Sequence, residues 1–329
     1  MAMNKEFDRE LKKRATLINQ ELEKTLVIGE PKQLLDAVRW LPLAGGKRLR
    51  PVLSLLACEA VGGRVSDAIP FAIAIELLHN FSLVHDDIMD RAPERRGVQT
   101  VHLRYGEPTA ILAGDALLAK SIEVVARSGM PPKIIAQLTY KLAKVTGSLC
   151  KGQEMGIEFE RKTEPSLEEY FGLIRRKTAT LFQLACEGGA LVGNASPKAL
   201  ESLSNYGLNL GLSFQIIDDC LDVSGDKTGK AKGEDIRGGQ KTIIIIHALQ
   251  NASARDKVKL LKVLGRKNAS QKEIDTAISI LKNTGSIDWA FKLAREKIEK
   301  AMGFLDGVPQ STPKKVLIDL GHFILKRKY

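Results

Sequence analysis

The sequence has few aromatic residues, no closely paired cysteines and no long apolar run. Aromatic side chains account for 5% of its 329 residues, and none of the four cysteines forms a Cys-x-x-Cys pair, which predicts buried, reduced thiols. The most aliphatic segment, the isoleucine run 243–246, is far shorter than the roughly 20 residues that cross a bilayer, so we expect no stable membrane insertion. The segment MAMNKEFDRELKKR lacks the apolar core of a signal peptide, and we expect a cytoplasmic protein.

An extreme excess of one charge sign is also missing. The 50 basic and 39 acidic side chains give a net charge of +11, which is compatible with nucleic acid, an anionic membrane surface or small phosphorylated ligands. The sequence has no uninterrupted basic run and no signature of a nucleic-acid-binding fold, so we expect no nucleic-acid partner. Apolar residues make up 44%, enough for a sizeable core.

Strict alternation of polar and apolar residues is almost absent, whereas apolar spacings of three and four recur along the chain. Near the start, Phe7, Leu11, Ala15, Ile18 and Leu22 follow the period of an amphipathic helix. The same period predicts about a dozen helices in all. The further predicted helices are 34–41, 51–61, 67–85, 107–127, 131–156, 167–193, 198–223, 241–250, 254–264, 270–283, 287–304 and 313–326.

This pattern predicts an all-α fold. The run 243–246 favours a strand by propensity, but no nearby segment offers it a partner. No break resembles a domain linker, so we predict a single domain over 1–329. The segment 224–241, SGDKTGKAKGEDIRGGQK, has the composition of a loop that contacts a ligand.

Two identical acid patterns each follow an apolar helical segment: DDIMD at 86–90 and DDCLD at 218–222. On a helix, the first and last aspartates of each motif lie on one face, separated by a rise of about 6 Å. Close carboxylates repel one another, and their burial is costly without a positive partner. Because the candidate ligands are all oxygens, the pattern favours Mg²⁺ or Mn²⁺ over Zn²⁺.

Basic segments accompany both motifs. GGKRLRP at 45–51 places three cations after a glycine pair and before a helix, and Arg95-Arg96-Gly97 follows the first motif. Backbone N–H groups at a helix start and arginine side chains are typical of phosphate sites. Each basic turn alone is more typical of a solvated surface than of a binding site. Together, two acid clusters, hard metal ions and these cations predict a diphosphate ligand.

In this order and spacing, HDDIMD, RRG, GGKRLRP, the Lys177-Thr178 pair and QIIDDCLD followed by GK and KT resemble the trans-isoprenyl diphosphate synthases. These are all-α enzymes that join prenyl units head to tail, and the details are most similar to the archaeal-type geranylgeranyl and farnesyl diphosphate synthases. The resemblance covers residues 30–250. It implies one large helical bundle of the isoprenoid synthase type with a central apolar cavity.

The resemblance assigns roles to individual residues. It implies that the allylic diphosphate lies between the acid motifs and binds through Mg²⁺, about three ions per active site, with Mn²⁺ able to substitute. The metal ligands would be Asp86, Asp90 and Asp218, with Asp87 and Asp222 contributing and Asp219 supporting. The allylic diphosphate would contact Arg95, Lys177, Thr178, Gln215, Lys230 and Lys241, and Lys177 would share in catalysis with the aspartates. Isopentenyl diphosphate would contact Lys47, Arg50, His79 and Arg96.

The implied reaction begins when the metal ions and cations stabilise the charge on a departing diphosphate. The C–O bond breaks, the double bond of isopentenyl diphosphate attacks the allylic cation, and a proton is lost. The sequence shows no dedicated general base, so the resemblance assigns proton removal to the departing diphosphate. Apolar walls would exclude water, which would otherwise trap the cation.

Two residues and one loop depart from the usual pattern of the family. Gln99 replaces a frequent proline, Gly156 stands where an aspartate is expected, and the loop at 226–229 is short. None of them removes a predicted metal ligand. These departures bear on rate or lid closure and leave the expected chemistry intact.

Product length is predicted from the helix before the first motif. The growing chain would run past Leu78, Phe81 and Ser82, and Phe81 is the bulky aromatic side chain there. In the family, an aromatic residue at the fifth position upstream without one at the fourth accompanies a C20 product. We therefore expect geranylgeranyl diphosphate as the main product.

Several alternatives remain open at this stage. The chain could be a farnesyl diphosphate synthase, a mixed C15/C20 producer, a terpene cyclase, a non-catalytic subunit of a heteromeric synthase or, more remotely, a basic nucleic-acid-binding protein. By pattern alone His79 is a core histidine, and only the resemblance makes it a ligand; His85 is expected to be structural. The resemblance also implies a homodimer, and the C-terminal KRKY is compatible with a flap or a solvated tail.

Overall fold

The computed structural model describes residues 5–162, 165–224 and 232–326. The described chain is almost entirely helical, which confirms the all-α prediction. The helices are α1 (Lys5–Thr25), α2 (Lys32–Leu43), α3 (Leu49–Ala60), α4 (Val65–Met89), α5 (Val101–Tyr105), α6 (Glu107–Ala126), α7 (Pro132–Arg161), α8 (Leu167–Ile174), α9 (Thr180–Val192), α10 (Pro197–Ser224), α11 (Glu234–Gly238), α12 (Ile243–Asn251), α13 (Ala254–Val263), α14 (Gln271–Asn283), α15 (Ser286–Phe304) and α16 (Thr312–Lys326).

A small β-hairpin follows α4. Strand β1 (Glu94–Arg95) pairs antiparallel with β2 (Val98–Gln99), so that Glu94 lies opposite Gln99. The two turn residues, Arg96 and Gly97, have φ angles of 55° and 74°, which suits the twist of a tight hairpin. The sequence did not reveal this hairpin, because strands of two residues are too short to show alternation.

Contacts within the chain define two compact units. The first contains residues up to Gly147, together with Leu181–Gly207 and Phe304–Asp319. In this unit α4 packs along α6 and α3. Helix α9 comes close to α3 and α4 through a glycine pair, since a Cβ atom on Gly188 would lie 2.0 Å from the Phe71 ring.

The second unit contains Ser148–Thr180, Leu208–Gly303 and the residues from Leu320 onward. The isoleucine run forms the start of α12, after Thr242 in an extended conformation, and all four isoleucines are buried. Burial on a helix therefore overrides the strand propensity of this run. The prediction of a single domain stays a prediction.

Two further expectations can be compared with the structure. Three cysteines are buried as expected, whereas Cys150 is exposed, because it lies on an outward face of α7. Among the described helices, α4 alone is long and apolar enough to span a membrane, but about two thirds of its most apolar stretch is buried within the protein. The apolar character of α4 is thus accounted for by the core.

Candidate active site

The first acid motif lies at the C-terminal end of α4. Asp90 caps the helix and is exposed, Asp86 is half-buried, and Asp87 between them is only 1% exposed. The outer carboxylates of the motif therefore lie at or near the surface, and the inner one is enclosed. This arrangement follows from helical geometry, which turns Asp87 about 100° away from Asp86.

Asp87 is held by the hairpin. The Arg95 Nε donates to its Oδ1 over 2.6 Å, and its Oδ2 is buried with no hydrogen-bond partner among the described residues. Burial raises the pKa of Asp87, and the Arg95 guanidinium opposes that rise. One oxygen of this carboxylate is thus satisfied by a cation, and the other remains to be satisfied.

The next hairpin residue, Arg96, reaches the opposite way, toward α2 and α4. Its Nη1 donates to the Leu41 carbonyl over 3.1 Å and to the Asn80 Oδ1 over 3.0 Å. Gly46 allows the guanidinium to approach the glycine pair, since a Cβ atom there would lie 3.2 Å from the Arg96 Cζ. Arg96 therefore lies directly against the 45–51 segment that the sequence singled out.

The three cations of that segment have different environments. Arg48 is buried and forms an ion pair with the buried Glu76 over 2.5 Å, while its Nε donates to the Asn19 Oδ1 over 2.8 Å. Lys47 is exposed, and Arg50 is half-buried. The middle cation therefore fixes the loop, and its two neighbours stay accessible from outside.

Arg50 lies against His79 of α4. Its Nη1 is 3.1 Å from the His79 Nε2, and its guanidinium lies 4.6 Å from the centre of the Phe182 ring. Part of His79 remains accessible, but its packed surroundings and then the positive charge of Arg50 and the neighbouring arginines lower its pKa well below the usual value. A neutral His79 accepts the hydrogen bond from Arg50 at Nε2.

Polar side chains in one row on α4 thus bind the arginines of the 45–51 segment and of the hairpin turn. Glu76 and Asn80 belong to this row, and sequence reasoning did not identify them. Asn80 also donates to the Glu76 Oε1 over 3.1 Å. The available signal was two polar residues spaced i, i+4 on an otherwise apolar helix, where a buried polar group requires a partner.

The predicted product-length residues lie one to two turns upstream of the first motif. Phe81 is buried, and its ring packs edge-on against His85 at 4.9 Å between centres. His85 is 3.1 Å from the Ile111 carbonyl of α6, which supports its structural role. Leu78 is fully buried, and the Ser82 hydroxyl donates to the His79 carbonyl.

The second acid motif lies at the C-terminal end of α10. Asp218 is exposed, and Asp219 is 5% exposed. The Tyr170 hydroxyl donates to the Asp219 Oδ2 over 2.6 Å, and the Gln215 amide donates to its Oδ1 over 2.9 Å. Burial raises the pKa of Asp219 to about 7, and these two hydrogen bonds oppose the rise.

Thr178 extends this network. Its hydroxyl donates to the Gln215 Oε1 over 2.8 Å, so Tyr170, Asp219, Gln215 and Thr178 form one chain of hydrogen bonds. Thr178 lies in a π-helical turn, Arg175–Ala179, which also carries the exposed Lys177. π-Helical turns are frequent at functional sites.

Gly152 of α7 permits a close approach to the same turn. A Cβ atom at this position would lie 2.8 Å from the Lys177 backbone nitrogen. Gly156, one turn further along α7, has ordinary space, with the Leu173 Cδ1 3.7 Å from such an atom. A Cβ atom at position 156 would therefore meet no steric obstacle.

Asp222 and Lys241 anchor neighbouring segments of the second unit. The two Asp222 carboxylate oxygens accept the backbone N–H groups of Glu234 and Asp235 at 3.0 and 3.2 Å, at the start of α11. The Lys241 ammonium donates to the Phe159 carbonyl over 3.3 Å and to the Glu160 carbonyl, near the end of α7. Lys230 lies outside the described residues.

A divalent metal is implied by the sequence resemblance. Within the described ranges, no three His, Cys, Asp or Glu side chains are already gathered as a metal site. The oxygen-only donor set and the unsatisfied Asp87 Oδ2 nevertheless fit a hard cation that keeps water and substrate oxygens in its shell. Such an ion needs only one or two carboxylates from the protein.

Comparison with known proteins supports the resemblance. The family model described as polyprenyl synthetase matches residues 31–281. The geranylgeranyl pyrophosphate synthase of Geoglobus acetivorans is 41% identical over 320 residues, covering 97% of this chain and 98% of that protein. The geranylfarnesyl diphosphate synthase of Natronomonas pharaonis is 34% identical over 334 residues, covering 96% of each.

A solved structure extends the similarity to the fold. The crystal structure of geranylgeranyl pyrophosphate synthetase from Pyrococcus horikoshii OT3 matches with a TM-score of 0.93 and 42% identity, covering 98% of each chain. Matches of this extent confirm the family resemblance that the motifs predicted. The chain belongs to the polyprenyl synthetase family.

Proposed function

We propose that the protein is a trans-prenyltransferase that condenses isopentenyl diphosphate head to tail with allylic diphosphates, and that its main product is geranylgeranyl diphosphate. The observation that carries this proposal is the full-length similarity to synthases of that class, combined with both acid motifs intact at helix ends. A terpene cyclase would not need a second DDxxD motif or the 45–51 segment.

The proposed metal ligands are the outer aspartates Asp86, Asp90 and Asp218, with Asp87 contributing through its unsatisfied oxygen. Bound Mg²⁺, about three ions per active site with Mn²⁺ able to substitute, would neutralise the diphosphate as it departs. Asp222 contributes by holding the start of α11. Asp219 has both oxygens engaged, which suits support of the motif rather than ligation.

The proposed isopentenyl diphosphate site is formed by Lys47, Arg50, His79 and Arg96 in the first unit. Arg50 contacts His79 and Arg96 donates to Asn80, both on α4, so the two guanidinium groups are oriented before a ligand arrives. One arginine side chain can bind a phosphate group through two parallel N–H···O bonds. The proposed contacts of the allylic diphosphate are Arg95, Lys177, Thr178, Gln215, Lys230 and Lys241.

The proposed reaction breaks the allylic C–O bond, and its electron pair leaves with the diphosphate. The double bond of isopentenyl diphosphate then attacks the allylic cation, and one proton leaves C2 of the added unit. His79 is a poor base for this proton, because its pKa is depressed and its Nε2 accepts from Arg50. We therefore assign the proton to the departing diphosphate.

Product length is proposed to depend on Phe81, whose ring is fixed by His85. An aromatic ring about one and a half helical turns before Asp86 limits the space along α4, and removal of the ring should lengthen the chain. Farnesyl diphosphate, or a C15/C20 mixture, is the alternative main product. Phe81→Ala should shift the main product beyond C20, and unchanged product length would refute this role of Phe81.

We also propose a homodimer that works in the cytoplasm. Leu103, Ile111 and Leu112 are exposed on α5 and α6 within the described chain. Exposed apolar side chains on adjacent helices are typical of subunit interfaces. Sedimentation of the purified protein tests this assembly.

The experiment that tests the function is a product assay with labelled isopentenyl diphosphate and dimethylallyl, geranyl or farnesyl diphosphate, with and without Mg²⁺. Mg²⁺-dependent C20 product from all three starters is the expected result. C15 alone would retain the reaction and refute the product length. No elongation from any starter would refute the proposal and favour a non-catalytic subunit.

A further inference from the structure

Helix α13 has apolar side chains on two opposite faces. Leu260 and Val263 are buried against the rest of the second unit, where α13 packs on α12 and α14. Val258 and Leu261, on the outward side, are 67% and 49% exposed. A helix that needs only one apolar face for its own packing thus presents a second one to solvent.

Basic residues flank the apolar strip formed by Val258 and Leu261. The segment 254–267, ARDKVKLLKVLGRK, has six basic residues and one acidic residue, a net charge of +5 in a chain whose total is +11. At 100° per residue, Val258 and Leu261 lie next to each other, with Lys257 on one side and Lys262 and Arg255 on the other. An apolar strip bordered by cations on both sides is the pattern of a helix that lies in a membrane interface.

Some of this charge is neutralised locally. Lys259 is paired with Asp256 at 3.0 Å, and Arg266 is paired with Glu273 of α14. Arg255 and Lys262 are exposed on the same side of the helix as Val258. The cations nearest the apolar strip are therefore placed to meet an external anionic surface.

We propose that the outer face of α13 docks the enzyme on an anionic lipid bilayer. Basic side chains near an anionic bilayer each add attraction, and apolar side chains at the headgroup boundary add affinity. The proposal goes beyond the catalysed reaction, although an apolar prenyl product would gain a short path into the membrane. Docking on the surface requires no membrane-spanning segment.

The positive charge and the apolar residues of α13 argue against two other partners for its outer face, a second copy of the chain and a nucleic acid. Two copies of α13 would place like charges opposite each other, which opposes self-association through this face. The exposed apolar residues of α6, in contrast, are neighbours of the acidic Glu107 and Asp115, as expected of a protein contact. A nucleic acid would use the cations and would leave Val258 and Leu261 without an apolar partner.

The test is co-sedimentation of the full chain with vesicles of phosphatidylcholine alone and of phosphatidylcholine mixed with phosphatidylglycerol. Wild-type protein should sediment with the mixed vesicles and remain in solution with neutral ones, and added salt should weaken binding. Arg255→Gln combined with Lys262→Gln should lower the vesicle affinity roughly thirtyfold, at about 1 kcal/mol per cation. Val258→Ser with Leu261→Ser should lower it roughly tenfold.

The matched control is Lys292→Gln with Lys300→Gln, which removes two exposed charges from α15. This variant should retain vesicle binding to within about threefold, since it leaves the α13 strip intact. If the control and the α13 charge variant lost equal vesicle affinity, the proposal would be overturned. Vesicle binding would then depend on the total positive charge of the chain and not on α13. The proposal would also be overturned if the double serine variant bound vesicles as tightly as the wild type. Wild-type binding to duplex DNA as tight as to vesicles would overturn it as well.

All variants should keep the prenyl-transfer rate of the wild type in vesicle-free solution, because none changes a proposed site residue. The vesicle assay requires no turnover, so failure of the docking proposal and failure of the proposed function give different results. Loss of activity in the α13 variants without vesicles would indicate misfolding, which circular dichroism would detect. Leu261→Ser alone then provides a milder variant for the same affinity comparison.

Discussion

The two acid motifs share one pattern but satisfy their inner aspartates differently. Asp87 and Asp219 occupy the same position in DDxxD, both are buried, and burial raises the pKa of both. Asp87 is paired with a cation, Arg95, and its other oxygen has no hydrogen-bond partner in the part of the chain that the structure describes. Asp219 is held at both oxygens by the neutral donors Tyr170 and Gln215.

The difference shows what a motif does and does not determine. The spacing determines which carboxylates point outward and which point inward. The neighbours determine whether the inner carboxylate is held by a cation or by uncharged hydrogen-bond donors. A buried ion pair that loses its cation leaves an uncompensated charge, which costs more than the loss of one uncharged donor while a second donor remains.

Removal of each partner should therefore have unequal effects. Arg95→Gln should lower kcat/KM roughly a hundredfold, because it leaves Asp87 without its cation and takes away a proposed diphosphate contact. Tyr170→Phe should lower it roughly tenfold, because Asp219 keeps its bond from Gln215. Steady-state kinetics on both variants, with urea unfolding as a fold control, make the comparison. A larger loss in Tyr170→Phe would contradict it.

The π-helical turn of the second unit offers a steric test. Gly152→Ala should displace the Lys177 backbone, because the added Cβ atom would lie 2.8 Å from its nitrogen. We expect kcat/KM to fall by about tenfold or more. Gly156→Ala, on the same helix with space available, is the matched control and should stay within about threefold. Equal effects of the two substitutions on kcat/KM would show that the close approach of Gly152 to the Lys177 backbone does not matter for activity.

His79 in the first unit predicts a pH dependence. Its folded-state pKa lies well below the ordinary value, so the unfolded chain binds a proton near pH 6.5 and the folded chain does not. The free energy of unfolding should therefore decrease as pH falls below about 6.5, by up to about 1.4 kcal/mol per pH unit from this group.

His79→Gln removes that titration and keeps an acceptor for Arg50. The difference in unfolding free energy between wild type and variant should shrink or reverse in favour of the variant from pH 7 to about pH 5. Urea unfolding across this range is the measurement. A pH-independent difference would mean that His79 titrates equally in the folded and unfolded states.

The smallest expected effect concerns the outer side of the hairpin. The Trp40 indole donates to the Gln99 carbonyl over 2.7 Å, and the Arg104 guanidinium lies 3.9 Å above the indole ring. Trp40→Phe loses that hydrogen bond, so the hairpin that carries Arg95 and Arg96 should be less well fixed.

We expect the KM for isopentenyl diphosphate to rise about three- to fivefold in Trp40→Phe, with kcat nearly unchanged. Trp289→Phe, which alters an aromatic residue of the second unit, is the control and should leave both constants unchanged. A fall in kcat at constant KM would show that Trp40 acts on a step other than binding.

Helices and the candidate site were predictable to different degrees. Apolar periodicity predicted most helices to within a few residues, and the acid motifs lie at helix ends as expected. Buried pairings such as Glu76–Arg48 were not predictable, because they join residues that are distant in sequence. The roles of Asp222 and Lys241 in holding α11 and α7 were missed for the same reason.

Local irregularities were also beyond the sequence patterns. The hairpin is too short for alternation, and the π-helical turn has the composition of an ordinary helix. Both irregularities carry proposed substrate residues: Arg95 and Arg96 in the hairpin, Lys177 and Thr178 in the turn. Irregular backbone at such positions is common where function requires a special orientation.

The proposal with the widest consequences is that Asp86, Asp90 and Asp218 bind the metal. Mn²⁺ binding, followed by electron paramagnetic resonance with a non-reactive thio analogue of an allylic diphosphate, tests it without turnover. Asp86→Asn and Asp218→Asn should each weaken Mn²⁺ binding at least tenfold, whereas Tyr170→Phe should leave it within about threefold. Unchanged Mn²⁺ affinity in both asparagine variants would contradict the account.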